Sequence, residues 1–235
     1  VQEYLKLNNE VLNEYEETGY INREKDIKAT DRYFKDYINR KTQFFHTLKE
    51  KIKFLTEEGY YEEEFLDKYS MNFIKKIFNI AYSYKFRFPT FMSASKFYSN
   101  YALKTRDDEV FLERFEDRMA INALYLAQGD EEKAERFIHA LMTAYQTATP
   151  TFLNAGKKAR GELVSCFKLT MDDSMNSIAH NIGNALQLSK LGGGVGINLT
   201  DLRAEGDPIK GIENRASGVM PVAKLLEDSF TYANQ

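Results

Sequence analysis

The distribution of glycine and aromatic residues divides the sequence near residue 149, and this division constrains the fold more than any single motif. Ten of the 13 glycines and three of the four prolines follow residue 149, whereas only four of the 17 phenylalanines and 15 tyrosines do. Aromatic side chains fill helical cores, and glycine permits tight turns and close backbone approach. We therefore expect an aromatic-rich helical domain over residues 1–148 and a domain of more varied backbone geometry over residues 149–235.

Apolar residues recur at helical spacings through the first of these domains. Gly129 is suited to end one helix, and Asp130 is a suitable N-cap for the next helix, which we expect to reach about Ala144. Core packing accounts for most of the aromatic pattern. The spacing predicts five further helices, over Asp31–Ile52, Glu62–Tyr69, Met71–Tyr84, Ser93–Leu103 and Glu109–Ala127.

The second domain mixes strand and helix patterns. Residues 163–169 alternate as a strand does, a helix follows the N-cap candidates at 172–174, and residues 195–199 form a second strand candidate. A last helix is expected over 218–233. The order strand, helix, strand favours a parallel pair with a right-handed crossover. The fold class is therefore α+β, mainly helical.

Composition excludes several classes of protein. The formal net charge of −3 lacks the basic excess of a nucleic-acid binder. No apolar run approaches the roughly 18 residues of a membrane span, and the first residues do not resemble a secretory signal. A single cysteine cannot form an internal disulfide and fits a reducing compartment. We expect a cytoplasmic globular protein with no nucleic-acid or membrane partner.

Two features leave alternatives open. The glycine run 192–194 has neither Walker nor Rossmann spacing, so it is either a helix C-cap or a surface that lets a ligand approach the backbone. Cys166 is either a small buried apolar residue or a redox-active thiol whose partner is supplied by another polypeptide segment. The three histidines, His46, His139 and His180, are far apart in sequence and have no metal-ligand spacing, so we expect no protein-bound metal.

Several motifs resemble those of the large (α) subunit of class I ribonucleotide reductase, and of the class Ib type in particular. They occur in the same order as in that family. The resemblance covers nearly the whole chain. It is carried by Tyr60–Leu66, Phe86–Ala94, Ala148–Gly156, Gly161–Phe167, Leu188–Val195 and Leu202–Ala204. It implies that the helical domain is followed by the first part of the ten-stranded α/β barrel of that family.

The resemblance also implies a substrate site for a ribonucleoside diphosphate. Thr149 matches a substrate-binding threonine, and Ser165 and Cys166 match the Ser-Cys pair beside the substrate. Cys166 would be one of the two redox thiols that deliver electrons to the 2′ carbon and end as a disulfide. Gly194 matches a glycine whose backbone lies against the substrate.

An allosteric specificity site follows from the same resemblance. Asp173 and Arg203 match residues that bind a deoxynucleoside triphosphate or ATP effector, and Ser174 lies beside Asp173. A carboxylate suits the hydroxyl of a deoxyribose, and a guanidinium suits a triphosphate. The helix over 174–190 would form a homodimer interface.

The activity implied is reduction of ribonucleoside diphosphates to deoxyribonucleotides for DNA replication, and it needs more than this chain. The family's second redox cysteine, radical-forming cysteine and C-terminal cysteine pair are absent, so we expect a split or partial subunit that is inactive alone. Its expected partners are the C-terminal part of the α subunit, a β subunit with a di-metal/tyrosyl radical, and a glutaredoxin-like or thioredoxin reductant. We expect no cofactor on this chain and no complete ATP cone. The alternative is a non-catalytic deoxynucleotide-binding regulatory module.

Overall fold

The computed structural model describes residues 2–159 and 161–233, and these divide into two compact units, of which the second begins at residue 161. The first unit is helical, and the second contains a two-stranded sheet with two helices. The boundary between the units lies later in the chain than the change in composition near residue 149, because residues 149–158 pack on the helices of the first unit. That the family's barrel domain starts at residue 149 stays a prediction.

Nine α-helices occur in the part of the first unit that the structure describes. Confirmed features include the helix over 71–83 and the Asp130 N-cap, whose side chain accepts from the Lys133 N–H. The helices are α1 (Glu3–Thr18), α2 (Arg23–Tyr33), α3 (Leu48–Glu57), α4 (Glu63–Leu66), α5 (Met71–Ser83), α6 (Phe91–Asn100), α7 (Phe115–Ala127), α8 (Glu131–Thr143) and α9 (Thr149–Asn154).

The helix α7 is central to this unit. It packs against α4, α5, α8 and α9, and residues on almost every side of it are buried. Aromatic rings pack near its first turn, where Phe86 stacks on Phe115 with ring centroids 3.9 Å apart. Burial of a large apolar side chain contributes about 1.5–3 kcal/mol. The aromatic pattern of the sequence is thus explained by core packing.

The single helix expected over Asp31–Ile52 is wrong. After α2 the backbone continues as a π-helical turn at Phe34–Ile38 and a 3₁₀ turn at Asn39–Lys41, and it then leaves helical geometry until α3. Tertiary hydrogen bonds explain the break, because the Gln43 N–H donates to the Phe111 carbonyl oxygen and the Phe111 N–H donates to that of Lys41.

The second unit contains strand β1 (Cys166–Thr170), helix α10 (Met175–Lys190), strand β2 (Gly194–Asn198) and helix α11 (Met220–Ala233). The two strands are parallel, as the element order predicts, and α10 connects them. Helix α11 packs on α10. No helix within the described residues is long and apolar enough to cross a bilayer.

Candidate active site

The paired strands bring three of the predicted substrate residues together. Cys166 lies opposite Gly194 in the parallel register, and the Gly194 N–H donates to the Ser165 carbonyl oxygen over 2.7 Å. The Cys166 thiol is free and exposed. Of the two interpretations of this cysteine, the structure therefore favours an accessible thiol over a buried apolar residue.

The face of the sheet that carries Cys166 is formed largely by backbone. Successive side chains of a strand point to opposite sides, so Cys166 is exposed while Phe167 is half-buried. On the neighbouring strand the positions opposite Cys166 and Lys168 are the glycines Gly194 and Gly196. No side chain from those two positions therefore stands between a ligand and the strand backbone beside the thiol.

The glycine run serves two structural purposes. Gly192 has φ +83°, a conformation that favours glycine, and its N–H donates to the Ser189 carbonyl oxygen at the end of α10. A Cβ on Gly193 would lie within 3 Å of the Phe167 ring, so glycine is required there. Gly194 already belongs to β2. The C-cap interpretation thus holds for Gly192, while Gly194 lies beside the exposed thiol.

The predicted effector residues are neighbours at the start of α10. The Arg203 Nε donates to the Asp173 Oδ2 over 2.6 Å, and both side chains are about one-third exposed. The Arg203 guanidinium also donates to the Pro208 carbonyl oxygen. Ser174 is the N-cap of α10, and its hydroxyl accepts from the Ser177 N–H. A carboxylate and a guanidinium are thus held together with part of each open to solvent.

Thr149 is the first residue of α9 and belongs to the first unit, whereas the other predicted site residues belong to the second. The end of α9 is bound by α7: the Asn122 side-chain amide donates to the Phe152 carbonyl oxygen over 3.3 Å, and the Arg118 guanidinium donates to that of Ala155. The location of Thr149 within the first unit is therefore fixed by buried contacts.

A buried charged cluster surrounds these contacts, and sequence reasoning missed it. Glu113 and Arg118 are fully buried and 3.4 Å apart, and Tyr61 donates to Glu113 over 2.7 Å. Burial alone would raise the pKa of Glu113, but the charges of Arg118 and Lys157, with hydrogen bonds from Tyr61 and the Leu103 N–H, together hold that pKa below its ordinary value. Burial lowers the pKa of Lys157 to about 8. The only sequence signal is a charged run at 113–118, which is more typical of a solvated face.

The described residues contain no cluster of histidine, cysteine, aspartate or glutamate able to hold a metal ion. His139 instead shares a 2.6 Å hydrogen bond with the Tyr84 hydroxyl on the surface of the first unit.

Three family models match consecutive parts of the chain. The ribonucleotide reductase N-terminal model matches residues 4–86, the all-alpha domain model matches 87–160, and the barrel domain model matches 164–235. The last two meet close to the division between the compact units. The models thus account for the helical unit and for the small parallel sheet.

Curated relatives agree with the models. The chain is 56% identical over its whole length to the ribonucleoside-diphosphate reductase NrdEB subunit alpha of Bacillus subtilis and covers 22% of that protein. It is 53% identical, again over its whole length, to another ribonucleoside-diphosphate reductase subunit alpha of Bacillus subtilis and covers 33% of it. The chain thus spans about a fifth to a third of the length of these relatives.

A solved structure shows the same fold. The class Id ribonucleotide reductase alpha subunit of Actinobacillus ureae matches 60% of this chain and 25% of its own, with a TM-score of 0.50 and 24% identity. At that identity the likeness concerns the fold alone. Because the three family models and the relatives agree, the chain belongs to the ribonucleotide reductase α-subunit family and corresponds to the N-terminal part of such a subunit.

Proposed function

We propose that this chain supplies part of the active site of a class Ib ribonucleoside-diphosphate reductase, with Cys166 as one of its two redox thiols. The single observation that carries the proposal is the exposed Cys166 thiol opposite Gly194, on a face formed by strand backbone. Thr149, Ser165 and Gly194 would bind the substrate with it. Glycine lets a ligand approach the backbone closely, so a ribose or a phosphate can lie against Gly194 beside the thiol.

The overall reaction balances with two thiols. The C2′–O bond of the ribose breaks, the oxygen leaves as water, and a C2′–H bond forms. Two electrons come from Cys166 and a second cysteine, which become a disulfide. This chain contains one cysteine, so the second thiol comes from the remainder of the α subunit. A glutaredoxin-like protein or thioredoxin would then reduce the disulfide by thiol exchange.

Initiation of the reaction belongs to partners. The proposed β subunit would supply the radical, and its di-metal/tyrosyl site would lie on that subunit. The C-terminal part of the α subunit would continue the barrel. The sheet has two strands within residues 161–233, so each strand has an edge without a strand partner there. Such edges favour pairing with further strands.

The Asp173–Arg203 pair supports a regulatory site for a deoxynucleoside triphosphate or ATP. Arginine binds phosphate oxygens in a planar, bidentate manner, and an aspartate accepts from ribose hydroxyls. Ser174 places the N-terminal N–H groups of the 16-residue helix α10 beside them. In this proposal the 174–190 helix pairs with its copy in a homodimer, and the enzyme acts in the cytoplasm.

Reconstitution tests this proposal. The α subunit containing this chain is combined with its β subunit and a dithiol, and reduction of a ribonucleoside diphosphate is measured in the wild type and in Cys166→Ser. We expect turnover in the wild type and its loss in the variant, with effector binding retained by both. Effector binding without wild-type turnover would instead support the regulatory module, and full activity of Cys166→Ser would refute the role of the thiol.

A further inference from the structure

Two buried side chains of α7 hold the end of α9 that is remote from Thr149. The Asn122 amide nitrogen donates to the Phe152 carbonyl oxygen over 3.3 Å, and the Arg118 guanidinium donates to the Ala155 carbonyl oxygen. Both side chains are fully buried. The same Asn122 nitrogen donates to the Arg118 carbonyl oxygen over 2.9 Å, which fixes its orientation on α7.

Helix α9 depends on these contacts because it is short. It has six residues, and an isolated helix of that length is not stable in water. The last carbonyl groups of any helix lack partners within the helix. Leaving such a group buried and unpaired costs about 1–3 kcal/mol. Asn122 and Arg118 supply two of the missing donors, so α7 determines where α9 lies.

Backbone hydrogen bonds also attach the residues that follow α9 to the core. The Glu62 N–H donates to the Gly156 carbonyl oxygen over 2.9 Å, and the Lys158 N–H donates to that of Tyr60 over 3.0 Å. The Phe152 ring packs 5.2 Å from the Tyr101 ring, measured between centroids. The C-terminal end of α9 is therefore attached to the core through both backbone and side chain.

Arg118 is itself oriented by Glu113. That carboxylate lies 3.4 Å from the Arg118 Nη1 and accepts from the Tyr61 hydroxyl and the Leu103 N–H. Removing Arg118 would leave the Glu113 charge without its nearest cation in the core, a change that costs about 3–5 kcal/mol in comparable pairs. Asn122 is uncharged and can be substituted at lower cost, so it is the better residue to test.

Thr149 is one helical turn from Phe152, so a tilt of α9 at its bound end moves the threonine. Misplacing a substrate contact by about 1 Å can lower a rate by roughly a hundredfold. We propose that Asn122 and Arg118 are positioning residues, which act on the substrate through α9 and Thr149 without touching it. This inference rests on the role of Thr149 in the proposed function.

The test is a double-mutant cycle in the α subunit that contains this chain, assembled with its β subunit. The variants are Asn122→Leu, Thr149→Ala and their combination, and KM and kcat for a ribonucleoside diphosphate are measured for each. We expect Asn122→Leu to raise KM by roughly tenfold, because it should move Thr149 by less than the roughly 1 Å that costs about a hundredfold. The combined variant should have the KM of Thr149→Ala, because both changes remove one interaction.

Tyr69→Phe is the matched control. The Tyr69 hydroxyl also donates to a carbonyl oxygen of α7, that of Leu124 over 2.8 Å, and it accepts from the Gly129 N–H just after that helix. It should lower the melting temperature by an amount similar to Asn122→Leu and leave KM unchanged. If Asn122→Leu does not fold, Asn122→Ala is used in the same cycle.

The outcomes are distinguishable. KM effects of Asn122→Leu and Thr149→Ala that multiply in the combined variant would overturn the positioning role alone. An equal rise in KM for Tyr69→Phe would overturn it as well, because general destabilisation would then explain the change. A Thr149→Ala variant with wild-type KM would overturn the role of Thr149 and this inference with it. Absence of wild-type turnover would instead count against the proposed function.

Discussion

Substitution of Gly156 by alanine should destabilise the first unit more than any similar change at an open glycine. Gly156 has φ +73°, and a Cβ there would lie 2.6 Å from the Ile121 Cγ2 and 2.9 Å from the Phe65 Cζ. Gly19 has the same φ of +73°, but a Cβ there would meet nothing within 4 Å. The pair separates the cost of the backbone conformation from the cost of crowding.

Three terms set the magnitude, and only one of them differs between the two variants. Left-handed geometry costs a residue with a side chain about 1–2 kcal/mol, and both variants share this term. Both also share the gain from a less flexible unfolded chain. Crowding in a packed core adds about 1–3 kcal/mol, and only Gly156→Ala carries it. The free energy of unfolding of Gly156→Ala should therefore be lower than that of Gly19→Ala by about 1–3 kcal/mol.

Urea unfolding followed by tyrosine fluorescence measures this difference. The chain has no tryptophan, and 14 of its 15 tyrosines precede residue 149, so the signal reports on the first unit. Equal free energies of unfolding for the two variants would contradict this expectation, because they would show that Ile121 and Phe65 do not confine Gly156.

Three further predictions concern other parts of the chain. The pKa of Lys157 is about 8 in the folded protein and 10.5 in the unfolded chain, so the charged form opposes folding below pH 8 and this cost is relieved as the pH rises. The stability of the wild type relative to Lys157→Met should increase by about 1 kcal/mol between pH 7 and pH 9 in urea titrations, and a constant difference would contradict the assignment. Thr90→Ala should cost about 1 kcal/mol of unfolding free energy, because the Thr90 hydroxyl accepts from the Ser93 N–H at the start of α6; an unchanged urea midpoint would rule this out. Arg203→Gln should weaken deoxynucleoside triphosphate binding to the assembled α subunit by roughly tenfold or more in calorimetry, and unaltered affinity would remove Arg203 from the effector site.

Local signals in the sequence predicted the elements whose ends are set by local chemistry. The Asp130 N-cap begins α8, and Ser174 begins α10, as N-cap preferences predict. The strand–helix–strand order predicted the parallel pair, although β1 begins and ends later than its apolar alternation suggested. These features depend on residues close in sequence, so a single chain is sufficient to recognise them.

Features that depend on distant residues could not be predicted in the same way. Helical spacing continues through the break after α2, and the hydrogen bonds that create the break come from Phe111, far along the chain. The helix expected from Glu109 starts only at Phe115, because Phe111 and Glu113 are used in tertiary contacts. A charged run gives no indication of which of its members the fold will bury.

The candidate site also combines features set by local signals with features set by distant residues. Strand pairing accounts for the proximity of Cys166 and Gly194, and the resemblance to the reductase family pointed to both residues. The contacts of Asn122 and Arg118 with α9 were invisible in the sequence, since they join side chains to carbonyl oxygens 30 and 37 residues away. Backbone acceptors have no sequence signature, so such contacts are found only in a structure.

The most direct measurement is the state of the Cys166 sulfur after a single turnover. The assembled enzyme, with all thiols reduced, is given ribonucleoside diphosphate and effector without external reductant, and its cysteines are then mapped by alkylation and mass spectrometry. We expect one deoxyribonucleotide to form for each disulfide that joins Cys166 to a cysteine of the remaining α subunit. Product formed while Cys166 stays a free thiol would contradict it.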